Sequence, residues 1–154
     1  GHGINGGNDI TLSANTIRAN HKNGIRIGHT ATVTGNTLQA NRRSSLETGS
    51  GCGIQGNTIS GNNVTDSDDQ AGLIVAADCL VKGNTLRDNL PYSIYVRQSG
   101  NAIEENLVTR SRFGIFFNAK GNFYANNRAT GITETGYGGE LPTGQGDGGG
   151  NAQF

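Results

Sequence analysis

The sequence contains no methionine and no tryptophan, only two prolines and only two cysteines. It carries no net charge either, with 12 Lys and Arg against 12 Asp and Glu. That balance removes the electrostatic ground for nucleic acid or an anionic membrane as a partner. No run is long and apolar enough to span a bilayer. No signal peptide is visible, so a secreted chain is expected to have shed its own. Hydrophobic residues make up only 32%, which is low for a globular core. The absence of a large net charge nevertheless argues against disorder. Two cysteines without a histidine cluster in register do not make a zinc site. Asp66, Asp68 and Asp69 supply too few oxygens for calcium. Neither a metal nor a cofactor is therefore expected.

What is abundant is glycine, 26 of 154 residues, and a recurring Gly-Asn-Thr followed by an aliphatic residue and a further Asn. The chain is short enough for one domain. Asn15, Asn36 and Asn57 lie 21 apart, as do Asn20, Asn41 and Asn62. Ile4, Ile25 and Leu46 keep the same interval. The step from Asn57 to Asn84 is 27, one period plus six residues, and Asn106 and Asn127 then follow at 22 and 21. A period of this length belongs to a stacked repeat.

Within each repeat the apolar residues alternate, as at Ile25 and Ile27 or Ala31 and Val33, which is the period of a strand. Gly28-His29-Thr30 and Gly35-Asn36 supply turns between them. Each repeat is read as three short strands and three bends. Such a coil cannot close its own core, so it must stack on the next. Stacking places identical positions about 4.8 Å apart. Asn15, Asn36, Asn57, Asn84, Asn106 and Asn127 are expected to form one hydrogen-bonded ladder, and Asn20, Asn41, Asn62 and Asn89 a second that fades at Ser111. The Thr column 16, 37, 58 and 85 is expected to face outward. Cys52 and Cys79 share a register position and are expected to be stacked and inward-facing. Buried free thiols are the preferred state, and a disulfide is allowed by the distance.

The stretches "NGIRIGHTATVTGNTLQAN" (23–41), "GLIVAADCLVKGNTLRDN" (72–89) and "SGNAIEENLVTRSRFGIFF" (99–117) resemble the right-handed parallel β-helix proteins of the pectate-lyase-like superfamily, over about residues 1–130. The expected fold is all-β, a single-stranded right-handed parallel β-helix (solenoid) of six to seven coils of about 21 residues. Residues 1–134 are assigned to the helix and 135–154 to a Gly-rich tail, folded back along the stack or serving as a linker.

The six extra residues fall in "VTDSDDQ" (64–70), between the third strand of one coil and the first strand of the next. In the proteins it resembles, loops of this kind border a cleft over the first strand. The outward residues there run Asn5, Arg26, Glu47, Ile74, Tyr95 and Phe116, with Arg97 two residues further along. The early half is polar and the late half apolar and aromatic. Aromatics on an outward face call for an occupant. Sugar rings stack on aromatic faces, and Arg97 is suited to a carboxylate. The expected binding residues are Glu47, Tyr95, Arg97 and Phe116, with Asp68 and Asp69 on an acidic rim. Competing readings are a surface ion pair for Arg26 and Glu47, a solvated loop tip for the aspartates, and a cover of tail or second subunit over the rings.

For catalysis, the resemblance implies motifs that this sequence lacks. The Asp pair Asp68-Asp69 is not followed by a histidine, since His2, His21 and His29 all precede it. The only prolines stand in "NLPYS" and "ELPTG", so the epimerase Asp-Pro-His motif is missing. A regular Thr array for ice binding begins at Thr11 and Thr32 but ends at Gly53 and Leu80. The leading expectation is an extracellular or periplasmic module interacting with polysaccharide, a polyuronate among the candidates, without complete catalytic machinery. The second is a stalk or fibre module that self-associates end to end or laterally. This second reading rests on strand register that already begins at Gly3-Ile4, where an open sheet edge is expected. The third is a lyase or epimerase fragment.

Overall fold

The computed structural model describes residues 1–63 and 66–154; Val64 and Thr65, the first two residues of the expected insertion, lie outside them. Over the described residues the chain winds into an all-β parallel solenoid of three sheets. The first sheet stacks Ile4–Asn5, Ile25–Arg26, Leu46–Glu47, Ala71–Val75, Tyr92–Val96, Phe113–Phe117 and Thr135–Gly139. The second runs from Thr11–Ser13 to Phe123–Ala125, and the third from Thr16–Arg18 to Ala152–Gln153. Every pairing is parallel, and the register is the one the sequence intervals dictate: Ile4 faces Ile25, Val33 faces Ile54, and Leu73 faces both Leu46 and Ile94.

Alternation within short strands decides what lies inside. Ile25, Leu46, Leu73, Ile94 and Ile115 from the first sheet meet Val33, Ile54, Val81 and Ile103 from the second and Leu38, Ile59, Leu86 and Val108 from the third. All are fully buried, so a chain with few apolar residues still makes one continuous core. The Thr column 16, 37, 58 and 85 is exposed on the third sheet, where β-branched residues suit a strand.

The bends carry the polar interior. Asn57 donates its Nδ2 to Asn84 Oδ1 at 3.0 Å, and its backbone N–H reaches the same oxygen at 2.9 Å. Asn36, Asn84, Asn106 and Asn127 repeat the pattern, each bonding the Asn of the next coil. A second ladder joins Asn20, Asn41, Asn62 and Asn89. Beside it stands a column of small residues. A Cβ at Gly24 would lie 2.7 Å from Asn41 Nδ2, and one at Gly72 would lie 2.8 Å from Asn89 Cγ. The glycine before Ile25 and the one before Leu73 thus keep room for the ladder next to them.

A third ladder escapes sequence reading because its early members are not Asn. Cys52, Cys79, Asn101 and Asn122 occupy one column. Cys52 N–H donates to Cys79 Sγ at 3.4 Å, Cys79 N–H to Asn101 Oδ1 at 2.9 Å, and Asn101 N–H to Asn122 Oδ1 at 3.0 Å. Both cysteines are buried and free. Their thiols point at the carbonyls that an Asn Nδ2 takes in the other ladders: Ala77 and Gly49 for Cys79, Ser50 and Gly28 for Cys52. Contact with Cys52 and burial both hold the Cys79 thiol protonated.

Residues 135–154, expected as a tail, add a further turn. Thr135–Gly139 pairs with Phe113–Phe117, and Ala152–Gln153 pairs with Arg128–Thr130. Asn151 extends the first ladder by accepting from Asn127. The interval from Asn127 to Asn151 is 24, so the extra residues and the glycines hide the repeat from the 21-residue count.

Candidate functional site

The outward face of the first sheet carries the row Arg26, Glu47, Ile74, Tyr95, Phe116, Gly138, each residue the register partner of the next. Three of the expected residues, Glu47, Tyr95 and Phe116, therefore lie in one line. Arg97 is one strand end away and reaches back two coils, where its Nη1 donates to Glu47 Oε1 at 2.8 Å. Asn23 Nδ2 donates to Glu47 Oε2 at 2.7 Å, and Arg26 Nε stands 3.8 Å from the same oxygen. Glu47 is thus an acceptor held by two hydrogen-bond donors, Asn23 and Arg97, with the Arg26 guanidinium as a looser ion-pair partner.

Ile74 is a correction. Its outward register predicts an exposed aliphatic residue, yet it is fully buried and lies outside the core cluster. The physical reason is the Glu47–Arg97 bridge. Those two residues sit on either side of the strand Ala71–Val75, so their contact passes over it. A long guanidinium side chain covers apolar surface with its stem while its head is paired.

Beyond Ile74 the face turns aromatic. Tyr95 and Phe116 are parallel within 5° with centroids 5.9 Å apart. Tyr92 lies 5.0 Å from both Tyr95 and Phe113 and 5.1 Å from Phe116, which closes a four-ring cluster. All four rings are half-buried. Tyr92 and Phe113 are also register partners, so the cluster is two columns deep. Gly138 borders it: a Cβ there would stand 3.2 Å from Phe116 Cδ2. The Gly-rich segment flanks the rings and leaves them accessible.

On the other side of Ile74 lies a shallow depression of about 280 Å³ that brings Glu47, Arg97 and Asp69 together with Lys22, Arg26, Arg43 and His2. It continues into a second depression of about 380 Å³ past His21 and Arg42. Lys22, Arg42 and Arg43 come from the bends that precede the first-sheet strands. The sequence reading missed them, although Lys22 and Arg43 are 21 apart and therefore neighbours. The local field is positive. Burial, followed by the charges of Lys22 and Arg26, holds His2 below the usual imidazole range.

The loop from Asp66 to Gln70 stands between the two halves. Gln70 Oε1 accepts from Ser44 N–H at 3.0 Å and from its hydroxyl at 2.9 Å. Asp66 pairs at 3.3 Å with Arg112, whose Nε donates to Glu134 at 2.8 Å and whose guanidinium lies 5.5 Å from the Phe113 centroid. Asp68 and Asp69 are both exposed but diverge. Asp69 lines the cationic depression, whereas Asp68 does not and its charge acts on Tyr92. Burial first, then Tyr95 and Asp68, push the Tyr92 phenol up. Of the expected six residues, Glu47, Arg97 and Asp69 share one half of the face and Tyr95, Phe116 and Asp68 the other.

No group of three or more His, Cys, Asp and Glu side chains is arranged for a metal ion among the described residues. No helix there is long and apolar enough to cross a membrane.

The family described as right-handed beta helix region matches residues 3–146. No curated protein and no solved structure matches the chain. The match takes in nearly the whole solenoid, from the first strand to the turn before Asn151, and agrees with the parallel register and the Asn ladders. The chain belongs to the right-handed β-helix family.

Proposed function

We propose that the outward face of the first sheet binds an extended, anionic polysaccharide and holds it without turning it over. The observation that carries this reading is the pairing of a four-ring aromatic cluster with a cationic depression along one row of the same sheet. Pyranose rings offer apolar C–H faces to aromatic side chains, and carboxylates take guanidinium donors. Lys22, Arg26 and Arg43 supply charge without being consumed by Glu47 alone. A polymer that contains uronate units offers both kinds of contact, with a polyuronate among the candidates. The reading places the protein where such polymers occur, outside the cell or in a periplasm.

Turnover is given no part in it. Hydrolysis of a glycosidic bond uses two carboxylates facing each other across that bond. Of the two adjacent aspartates only Asp69 lines the depression, and Glu47 is engaged by Asn23, Arg26 and Arg97.

The test is retention of the purified chain on immobilised polyuronates and neutral polysaccharides, read together with chain cleavage and epimer content. Retention without new chain ends or epimers is expected. Tyr95→Ala and Arg43→Ala are expected to weaken it with the far-UV circular dichroism unchanged, and salt is expected to weaken it further. Turnover would overturn the binding-only reading. Absence of retention on every polymer at low salt would overturn the carbohydrate reading. Concentration-dependent mass in sedimentation would then favour lateral self-association through the rings.

A further inference from the structure

The two halves of the face differ in more than shape. Around Glu47, the four cations Lys22, Arg26, Arg43 and Arg97 stand against two carboxylates, Glu47 and Asp69. Around the rings the order is reversed. Arg112 is shared between Asp66 and Glu134, and Asp68 adds a third carboxylate. The field therefore changes sign along the helix axis, positive at the early coils and negative beside the rings. Arg26 and Tyr95 are three strands apart in the row, so the two regions are separated by about 14 Å. Between them Ile74 is sealed beneath the Glu47–Arg97 bridge.

From this polarity we infer a bipartite site that selects a heteropolysaccharide: an acidic sugar over Lys22, Arg26 and Arg43, and an uncharged sugar of the same chain over Tyr95 and Phe116. The inference rests on the polysaccharide reading above and narrows it. A uniform polyuronate would have to set a carboxylate against apolar rings next to Asp68 and Glu134. There it loses hydration and meets like charge. A neutral glycan finds the rings but gains no charge pairing from Lys22, Arg26 and Arg43. A chain that carries both kinds of unit engages both regions at once. The second contact is then intramolecular and strengthens binding with no further protein surface. The sign change also fixes one orientation for the bound chain.

The experiment is calorimetric titration of the full chain with size-matched oligosaccharides long enough to span both regions: oligogalacturonides, cello-oligosaccharides, and hyaluronan fragments, in which a uronate alternates with an uncharged N-acetylhexosamine. The alternating oligomer is expected to bind at least about tenfold more tightly than either uniform one. Arg43→Ala should reduce both its affinity and the dependence on salt. Tyr95→Ala should reduce affinity while leaving the salt dependence in place. Circular dichroism of each variant confirms an intact solenoid. If oligogalacturonides bind as tightly as the alternating oligomer and Tyr95→Ala changes nothing, the bipartite inference is overturned while polysaccharide binding stands. If cello-oligosaccharides bind as tightly, the cationic region has no role and the inference is likewise overturned. If none of the three binds, both readings fall together.

Discussion

Asn84→Ala removes one rung from the middle of the first ladder. Its side chain is 1% exposed and makes bonds in both directions. Oδ1 accepts Asn57 N–H at 2.9 Å and Asn57 Nδ2 at 3.0 Å, and Nδ2 donates to Ile54 O at 2.9 Å, Lys82 O at 3.2 Å and Asn106 Oδ1 at 3.0 Å. Truncation leaves the Asn57 N–H buried without its acceptor, while Asn57 Nδ2 retains Val33 O and Gln55 O. Asn106 Oδ1 retains the Asn84 N–H. The net loss is one orphaned buried donor and the bond to the Ile54 carbonyl, together about 2–4 kcal/mol. For a chain of this size the corresponding fall in Tm is roughly 5–15 °C. Asn15→Ala is the internal control. Its Nδ2 donates to Ser13 O at an exposed position and to Asn36 Oδ1, which keeps the Asn15 N–H in any case. Its cost is about 0.5 kcal/mol or less, because water replaces the lost partner. The assay is denaturant unfolding followed by far-UV circular dichroism for both variants. Equal losses in the two, within about 0.5 kcal/mol, would refute the argument that burial of the orphaned N–H sets the cost.

Burial pushes the Tyr137 phenol up to about 12 from an ordinary value of 10.0, so the fold favours its neutral form. That contribution is complete below pH 10 and is lost as pH rises towards 12. Tyr137→Phe should therefore flatten the pH dependence of stability across this window, and an unchanged slope would contradict it. Cys79→Asn should raise stability by about 0.5–1.5 kcal/mol, because Cys52 N–H gains an oxygen acceptor in place of Sγ at 3.4 Å; a lower unfolding midpoint would show that the column does not behave as a ladder. Glu47→Gln should strengthen retention on an anionic polymer by roughly fivefold, since one carboxylate about 4 Å from a cation is worth about 1 kcal/mol in water. Weaker retention in that variant would mean that Glu47 itself contacts the polymer.

The solenoid was legible because its causes repeat at fixed intervals. Residues 21 apart become neighbours, and alternation within three-residue strands decides inside from outside. The intervals alone therefore place Ile25, Leu46 and Leu73 in the core and Asn36, Asn57 and Asn84 in a ladder. The third ladder was not legible, since Cys52 and Cys79 stand where Asn101 and Asn122 continue and a thiol reads as a hydrophobe. The last turn was legible only at its start, where Gly136 follows Gly114 at 22 residues; beyond it the glycines leave no side-chain pattern to count until Asn151.

The candidate site divides along the same line. The row Arg26, Glu47, Ile74, Tyr95 and Phe116 follows from spacing alone, because register in a parallel stack is a property of sequence intervals. Its electrostatics do not. The Glu47–Arg97 bridge that buries Ile74 joins residues 50 apart, and the contact of Asp66 with Arg112 joins residues 46 apart. Lys22, Arg42 and Arg43 reach the same face only because the bends aim them there. Sequence by itself determined the coil, its register and its inward face, since these depend on local alternation and a constant period. The tertiary structure alone decided which outward charges meet, because long side chains on different coils choose partners by distance in space, and the insertion at 64–70 breaks the interval that would have related them.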